Sequence, residues 1–285
     1  MKAPYRLHLP HTQTTPVVFA SPHSGRDYPW EFLKSSVLDE RAIRSSEDAF
    51  VDILFDEVPD LGAPMLAATA PRAFIDLNRA SEELDPALIE GVRRVSHNPR
   101  VTSGLGVIPR VVSNGRVINR GKMSMDEARA RIRDYWRPYH DRLQQLLDDT
   151  RMSHGQAILI DCHSMPHEAI EATPSHRKPK PEIVLGDRFG AAANQDIVER
   201  IEAAFAAEGL RVVRNAPFAG AYTAQHYGRP SRRQHVIQIE IDRSLYMNED
   251  LVRPNGNFAS FKKLISRVAA ELVEIGRSEV PLAAE

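Results

Sequence analysis

Gln156-Ala157-Ile158-Leu159-Ile160-Asp161-Cys162-His163-Ser164 is an apolar run that closes on a histidine, and Pro16-Val17-Val18-Phe19-Ala20-Ser21-Pro22-His23-Ser24-Gly25 repeats the pattern. Unbroken apolar strands belong to sheets covered on both faces. Similar runs lie at 64–68, 73–77, 182–185, 210–214 and 235–241. Between them, 3–4 spacing of apolar residues predicts helices over 39–57, 125–152, 190–208 and 257–275. Strands alternating with helices predict an α/β fold around a mostly parallel sheet. In such sheets ligands bind where the strands run out, which is where both histidines stand. Residues 1–285 are expected to form one domain; 80–122 and 164–181 read as loops, the second rich in proline and charge and suited to a mobile flap.

Composition narrows the function. The 285 residues are 42% hydrophobic and 26% charged, enough for a large core. Thirty-seven Lys and Arg balance 38 Asp and Glu, a formal charge of −1 that gives no pull toward nucleic acid or an anionic membrane. No apolar run approaches a membrane span, and the first residues lack the apolar middle of a signal peptide. A single cysteine, Cys162, fits a reducing cytoplasm. HExxH, GxSxG, GxxxxGK[ST] and GxGxxG are all absent, so any site is assembled from distributed residues.

Two strand-end histidines are a common start of a zinc site, which a carboxylate completes. Asp161 and His163 share a strand face, while Cys162 points the other way as a buried filler. Ser45-Ser46-Glu47-Asp48-Ala49-Phe50-Val51-Asp52 offers three acids near a helix start, and the residues alone do not choose among them. Asn78-Arg79, closing the 73–77 run, can hold a substrate carboxylate through the guanidinium fork, with Arg72 at the other end of that run. Glu240 sits in the apolar run His235–Asp242; burial there raises a carboxyl pKa, as a general base needs. Gly220–Gly228, with Tyr222 and His226, is suited to lining a pocket. His140 reads as helix packing; His8, His11, His97, His154 and His176 read as solvent-exposed.

Ser21-Pro22-His23-Ser24-Gly25-Arg26-Asp27-Tyr28-Pro29, Ser45–Asp52, Phe74–Ala80, Asp161–Pro166, Gly220–Gly228 and Gln238–Glu249 together resemble the N-formylglutamate amidohydrolases, from about His23 to Asn248. The resemblance implies a three-layer α/β/α sandwich with a central mixed, largely parallel sheet, akin to zinc carboxypeptidases and aspartoacylases. It also implies hydrolysis of N-formyl-L-glutamate to formate and L-glutamate, a step of histidine degradation, so the expected partner is a small N-acyl amino acid. Carried over, His23, Asp48 and His163 are the expected Zn2+ ligands, with Glu47 in reserve. Glu240 is the expected base, and Arg72 assists at the polarised carbonyl. Asn78 and Arg79 hold a substrate carboxylate, with Arg110 and Arg243 as further candidates beside Tyr222 and His226. Relatives of this fold carry His-x-x-Glu, whereas Arg26 stands three residues after His23, so the acidic ligand has to come from elsewhere in the chain.

Overall fold

The computed structural model describes residues 3–93, 98–171 and 180–277. Seven strands form one mixed sheet in the order β1-β3-β2-β4-β7-β5-β6. They are β1 (Tyr5–His8), β2 (Val17–Ser21), β3 (Met65–Ala68), β4 (Ala157–Met165), β5 (Ile183–Gly186), β6 (Val212–Arg214) and β7 (Gln234–Asp242). Strands β3, β2, β4 and β7 run parallel, β1 and β5 pair antiparallel with β3 and β7, and β6 is parallel to β5. A small ribbon, β8 (Met247–Asn248) with β9 (Arg253–Pro254), stands apart.

The helices are α1 (Trp30–Ser35), α2 (Glu40–Ile43), α3 (Val51–Leu54), α4 (Pro99–Thr102), α5 (Met125–Arg131), α6 (Arg137–His154), α7 (His167–Glu171), α8 (Gln195–Ala207), α9 (Tyr222–Tyr227) and α10 (Phe258–Val273). Alternation along the strands divides the core in two. Val17, Phe19, Ile158, Ile160, Cys162, Ile237 and Ile239 pack against α3, α8 and α10. Val18, Ala20, Leu66, Leu159 and Val236 pack against α1, α5, α6 and α9. The sheet is therefore the middle of three layers, buried on both faces as its unbroken apolar runs require. Among the described residues no helix is long and apolar enough to cross a membrane.

Three predicted elements take another form. The run 73–77 is no strand: Phe74 and Ile75 bond back to Pro71, and the chain turns. Its apolar residues are buried by the second core layer rather than by a sheet, and the turn brings Arg72 against Asp76, four residues on, at 3.0 Å. The predicted helix 39–57 breaks into α2, a 3-10 turn and α3, with Glu47 extended and Phe50 left-handed at φ 68°. Helix α8 starts at Gln195, several residues later than expected. Short β1 was not anticipated; its residues alternate half-buried and exposed on a sheet edge. Of the predicted loop 164–181, residues 164–165 extend β4 and 167–171 form α7, while 172–179, with His176, lie outside the described residues, as does His97. His8 and His11 are exposed, whereas His154 is partly covered.

Candidate active site

The C-terminal ends of β2, β4 and β7 bring the distributed residues together on the sheet face covered by α6. In the β4–β7 ladder His163 pairs with Glu240 and Asp161 with Gln238, so all four side chains share that face. His23 follows β2 in a loop pressed against the segment after β3. A Cβ on Gly25 would stand 2.1 Å from the Ala70 carbonyl oxygen, so only glycine permits that approach. The break between α2 and α3 serves the same end. Asp48 N–H donates to the His23 carbonyl at 3.0 Å, which fixes Asp48 beside the two rings.

His23, Asp48 and His163 are all buried, with one ligand atom from each lying within 4.8 Å of the others. His163 Nδ1 is 2.9 Å and His23 Nδ1 3.4 Å from Asp48 Oδ2. A second acid stands behind each ring, hydrogen-bonded to His23 and in close approach to His163, whose Nε2 is also met by Asn78 Nδ2 at 3.2 Å. His23 Nε2 meets Asp76 Oδ1 at 2.8 Å, and His163 Nε2 lies 3.1 Å from Asp161 Oδ2. Carboxylates behind ligating imidazoles fix tautomer and orientation in metal sites. With Nε2 of His23 donating to Asp76, its Nδ1 turns a lone pair inward, and that buried atom has no hydrogen-bond partner among the described residues. An orphaned, buried nitrogen facing a carboxylate and a second imidazole is what a divalent cation would complete. Glu47, the reserve, instead accepts from the Tyr28 hydroxyl at 2.7 Å and pairs twice with Arg44 at 3.0 Å.

The charges of the metal-free site follow from the same contacts. Burial opposes charge on Asp48, but the facing imidazoles outweigh it and hold the carboxyl well below the usual range. Asp76 is likewise held low against burial, chiefly by Arg72 and His23. Burial opposes charge on His163 too, yet Asp161, Asp48 and Glu240 draw it well above an ordinary histidine. Glu240 goes the other way: burial pushes it up to about 7, with Asp48 adding and His163 opposing. Its Oε1 accepts from Gln238 Nε2 at 2.8 Å.

The remaining candidates divide. Arg72 reaches Asp76 with Nε. Arg79 is buried and, among the described residues, bonds only to the carbonyls of Leu105 and Asn78. Asn78 is engaged by the protein: Nδ2 contacts His163 Nε2 at 3.2 Å and Gln238 at 3.4 Å, and Oδ1 accepts from Thr223 N–H at 2.8 Å. Arg243 is spent on Asp48 at 2.9 Å, Ser164 and the Ser45 carbonyl, and Arg110 on Asp85 at 2.8 Å. Tyr222 stacks on exposed His226 at 4.9 Å on α9, one residue from the Thr223–Asn78 bond. Sequence reasoning gave no role to Asp76, Asp161 or Gln238; the available signal was an acid or amide inside each of three apolar runs.

A family model for N-formylglutamate amidohydrolase matches residues 15–247. N-formylglutamate deformylase of Pseudomonas putida is 30% identical over 242 residues, 84% of either chain. The deformylase of Pseudomonas aeruginosa is 28% identical over 262 residues, 91% of either chain. The crystal structure of N-formylglutamate amidohydrolase from Ralstonia eutropha JMP134 is similar with a TM-score of 0.90 at 35% identity, covering 96% of this chain and 99% of that one.

Proposed function

Because the chain belongs to the N-formylglutamate amidohydrolase family, we propose that it hydrolyses N-formyl-L-glutamate to formate and L-glutamate at a site holding one divalent metal ion. Zinc is the ion that two imidazoles and one carboxylate suit, with a position left for water. His23 Nδ1, Asp48 and His163 Nδ1 are the ligands in this reading, oriented by Asp76 and Asp161. The bound ion supplies Lewis acidity toward the formyl oxygen and a lowered pKa for its water.

The protein's own groups do the rest. Glu240 takes a proton from the water that attacks the formyl carbon. It then delivers that proton to the amine nitrogen as the C–N bond breaks, leaving formate and the free amino group. A carboxyl pushed up to about 7 suits both acceptance and return near neutral pH. Arg72, whose Nη groups are left over from its bond to Asp76, faces the charge that develops on the formyl oxygen; loss of one such donor typically costs about 3–4 kcal/mol. Arg79, bonded to carbonyls and to no acid among the described residues, receives a substrate carboxylate.

The observation that carries this reading is the orphaned Nδ1 of His23, aimed at Asp48 and His163 beside a buried Glu240. The test is formate release by metal-stripped, zinc-reloaded and Glu240→Gln protein. Reloading should restore turnover, and Glu240→Gln should keep one equivalent of zinc while losing on the order of 10²–10⁴ in kcat. Near-normal turnover in Glu240→Gln, or full activity after stripping, rejects the mechanism. Preference for N-formylglutamate over N-formylglutamine and N-acetylaspartate checks the substrate.

A further inference from the structure

The turn that carries Asp76, Asn78 and Arg79 has its backbone carbonyls held by one helix. Arg131 Nη1 donates to the Phe74 carbonyl at 3.0 Å, Trp136 Nε1 to the Arg79 carbonyl at 2.9 Å, and His140 Nε2 to the Leu77 carbonyl at 2.9 Å. A carbonyl only accepts, so His140 carries its proton on Nε2, and the Tyr227 hydroxyl donates to its Nδ1 at 2.8 Å. Spacing explains how three side chains reach one turn. Residues 136 and 140 are four apart, but 131 and 136 are five apart, which an α-helix would place about 140° round the axis. Between α5 and α6 the chain makes a π-helical turn, Ile132–Trp136, whose i to i+5 bonding keeps that pair on one side. Pro138, just beyond, has no N–H for the Asp134 carbonyl and crowds it, which favours a widened turn there.

The same rings reach the opposite wall. Trp136 lies 4.1 Å from His140 and 5.7 Å from Tyr222, centroid to centroid, and Thr223 N–H caps Asn78 Oδ1. We propose that Arg131, Trp136 and His140 are positioning residues: the π-interrupted helix is a template that sets the 74–79 turn, and Trp136 acts on substrate binding through Arg79. This rests on the reading of Arg79 as a carboxylate-binding residue.

Trp136→Phe keeps an aromatic ring against His140 and Tyr222 but removes the indole donor along with part of the stacking surface. One neutral hydrogen bond is worth about threefold to tenfold in affinity, so KM for N-formylglutamate should rise by that factor with a smaller change in kcat. In an Arg79→Ala background the same change should add nothing. An unchanged KM in Trp136→Phe, or an equal rise in both backgrounds, overturns the proposal. An unchanged KM in Arg79→Ala alone instead overturns the assignment of Arg79, so the two failures are distinct. As a second arm, His140→Gln, whose amide still reaches a carbonyl, should raise KM less than His140→Leu. Equal effects from the pair also overturn the proposal.

Discussion

Between pH 7 and pH 5 an exposed imidazole, with a pKa of about 6.5, takes up a proton. His140 in the folded protein does not, because burial pushes it down to about 3. The unfolded chain therefore binds more protons than the native one throughout this window, and stability falls as pH falls. Each pH unit below 6.5 costs about 1.4 kcal/mol, so this one group removes about 2 kcal/mol by pH 5 and approaches about 5 kcal/mol near pH 3. Asp48 and Asp76, whose folded pKa values are depressed, lose stability in the same direction at more acidic pH. They do so in any variant that retains them, which makes a difference measurement decisive. His140→Gln offers an amide donor and acceptor in place of the imidazole and does not titrate. Urea unfolding of both metal-stripped proteins, followed by circular dichroism at pH 7, 6 and 5, should show the stability gap shift by about 2 kcal/mol against wild type on acidification. Parallel curves would refute the argument, since they would mean that His140 titrates alike folded and unfolded.

Three further perturbations probe the frame of the site. Asp76→Asn should keep the fold and weaken zinc binding about 10–100-fold, read by competition with a chelating dye. Arg243→Met, which leaves the buried Asp48 carboxylate without its guanidinium, should destabilise the metal-stripped protein by about 3–5 kcal/mol; adding zinc should recover part of the loss in a melting experiment, and no recovery argues against a cation at Asp48. Gly25→Ala forces a Cβ into the Ala70 carbonyl and should cost about 1–3 kcal/mol in denaturant unfolding, together with zinc affinity, because His23 moves with the loop.

Much of the centre was legible because burial and catalysis both leave marks in apolar strands. The runs ending in His23 and His163 and the run enclosing Glu240 became β2, β4 and β7, neighbours in the sheet. Two-residue alternation correctly put Asp161 with His163 and Cys162 in the other core layer. The run 73–77 misled because apolarity reports burial, not backbone conformation. Phe74 packs on the rings of Phe32 and Tyr135 and under the Arg131 guanidinium, and Ile75 joins the same core layer without a place in the sheet. The break at Glu47–Phe50 was illegible for a different reason: it answers to the position of His23, a contact from another part of the chain. Asp76 was given no part because it lies 53 residues from His23, the ring it meets; Asp161, placed on the face of His163, was given none because a shared face does not by itself make a contact.

The strand order has a consequence in time. His23 leaves the ribosome roughly 220 residues before Glu240, an interval of about 10–40 s at ordinary rates of synthesis. Until Val17 can pair with Ile158, β2 has no neighbour on its β4 side, and β4 in turn waits for Gln234 to pair with Ala157. His23, Asp48 and His163 can therefore meet only once β4 has emerged, 140 residues after His23, and Glu240 joins them last.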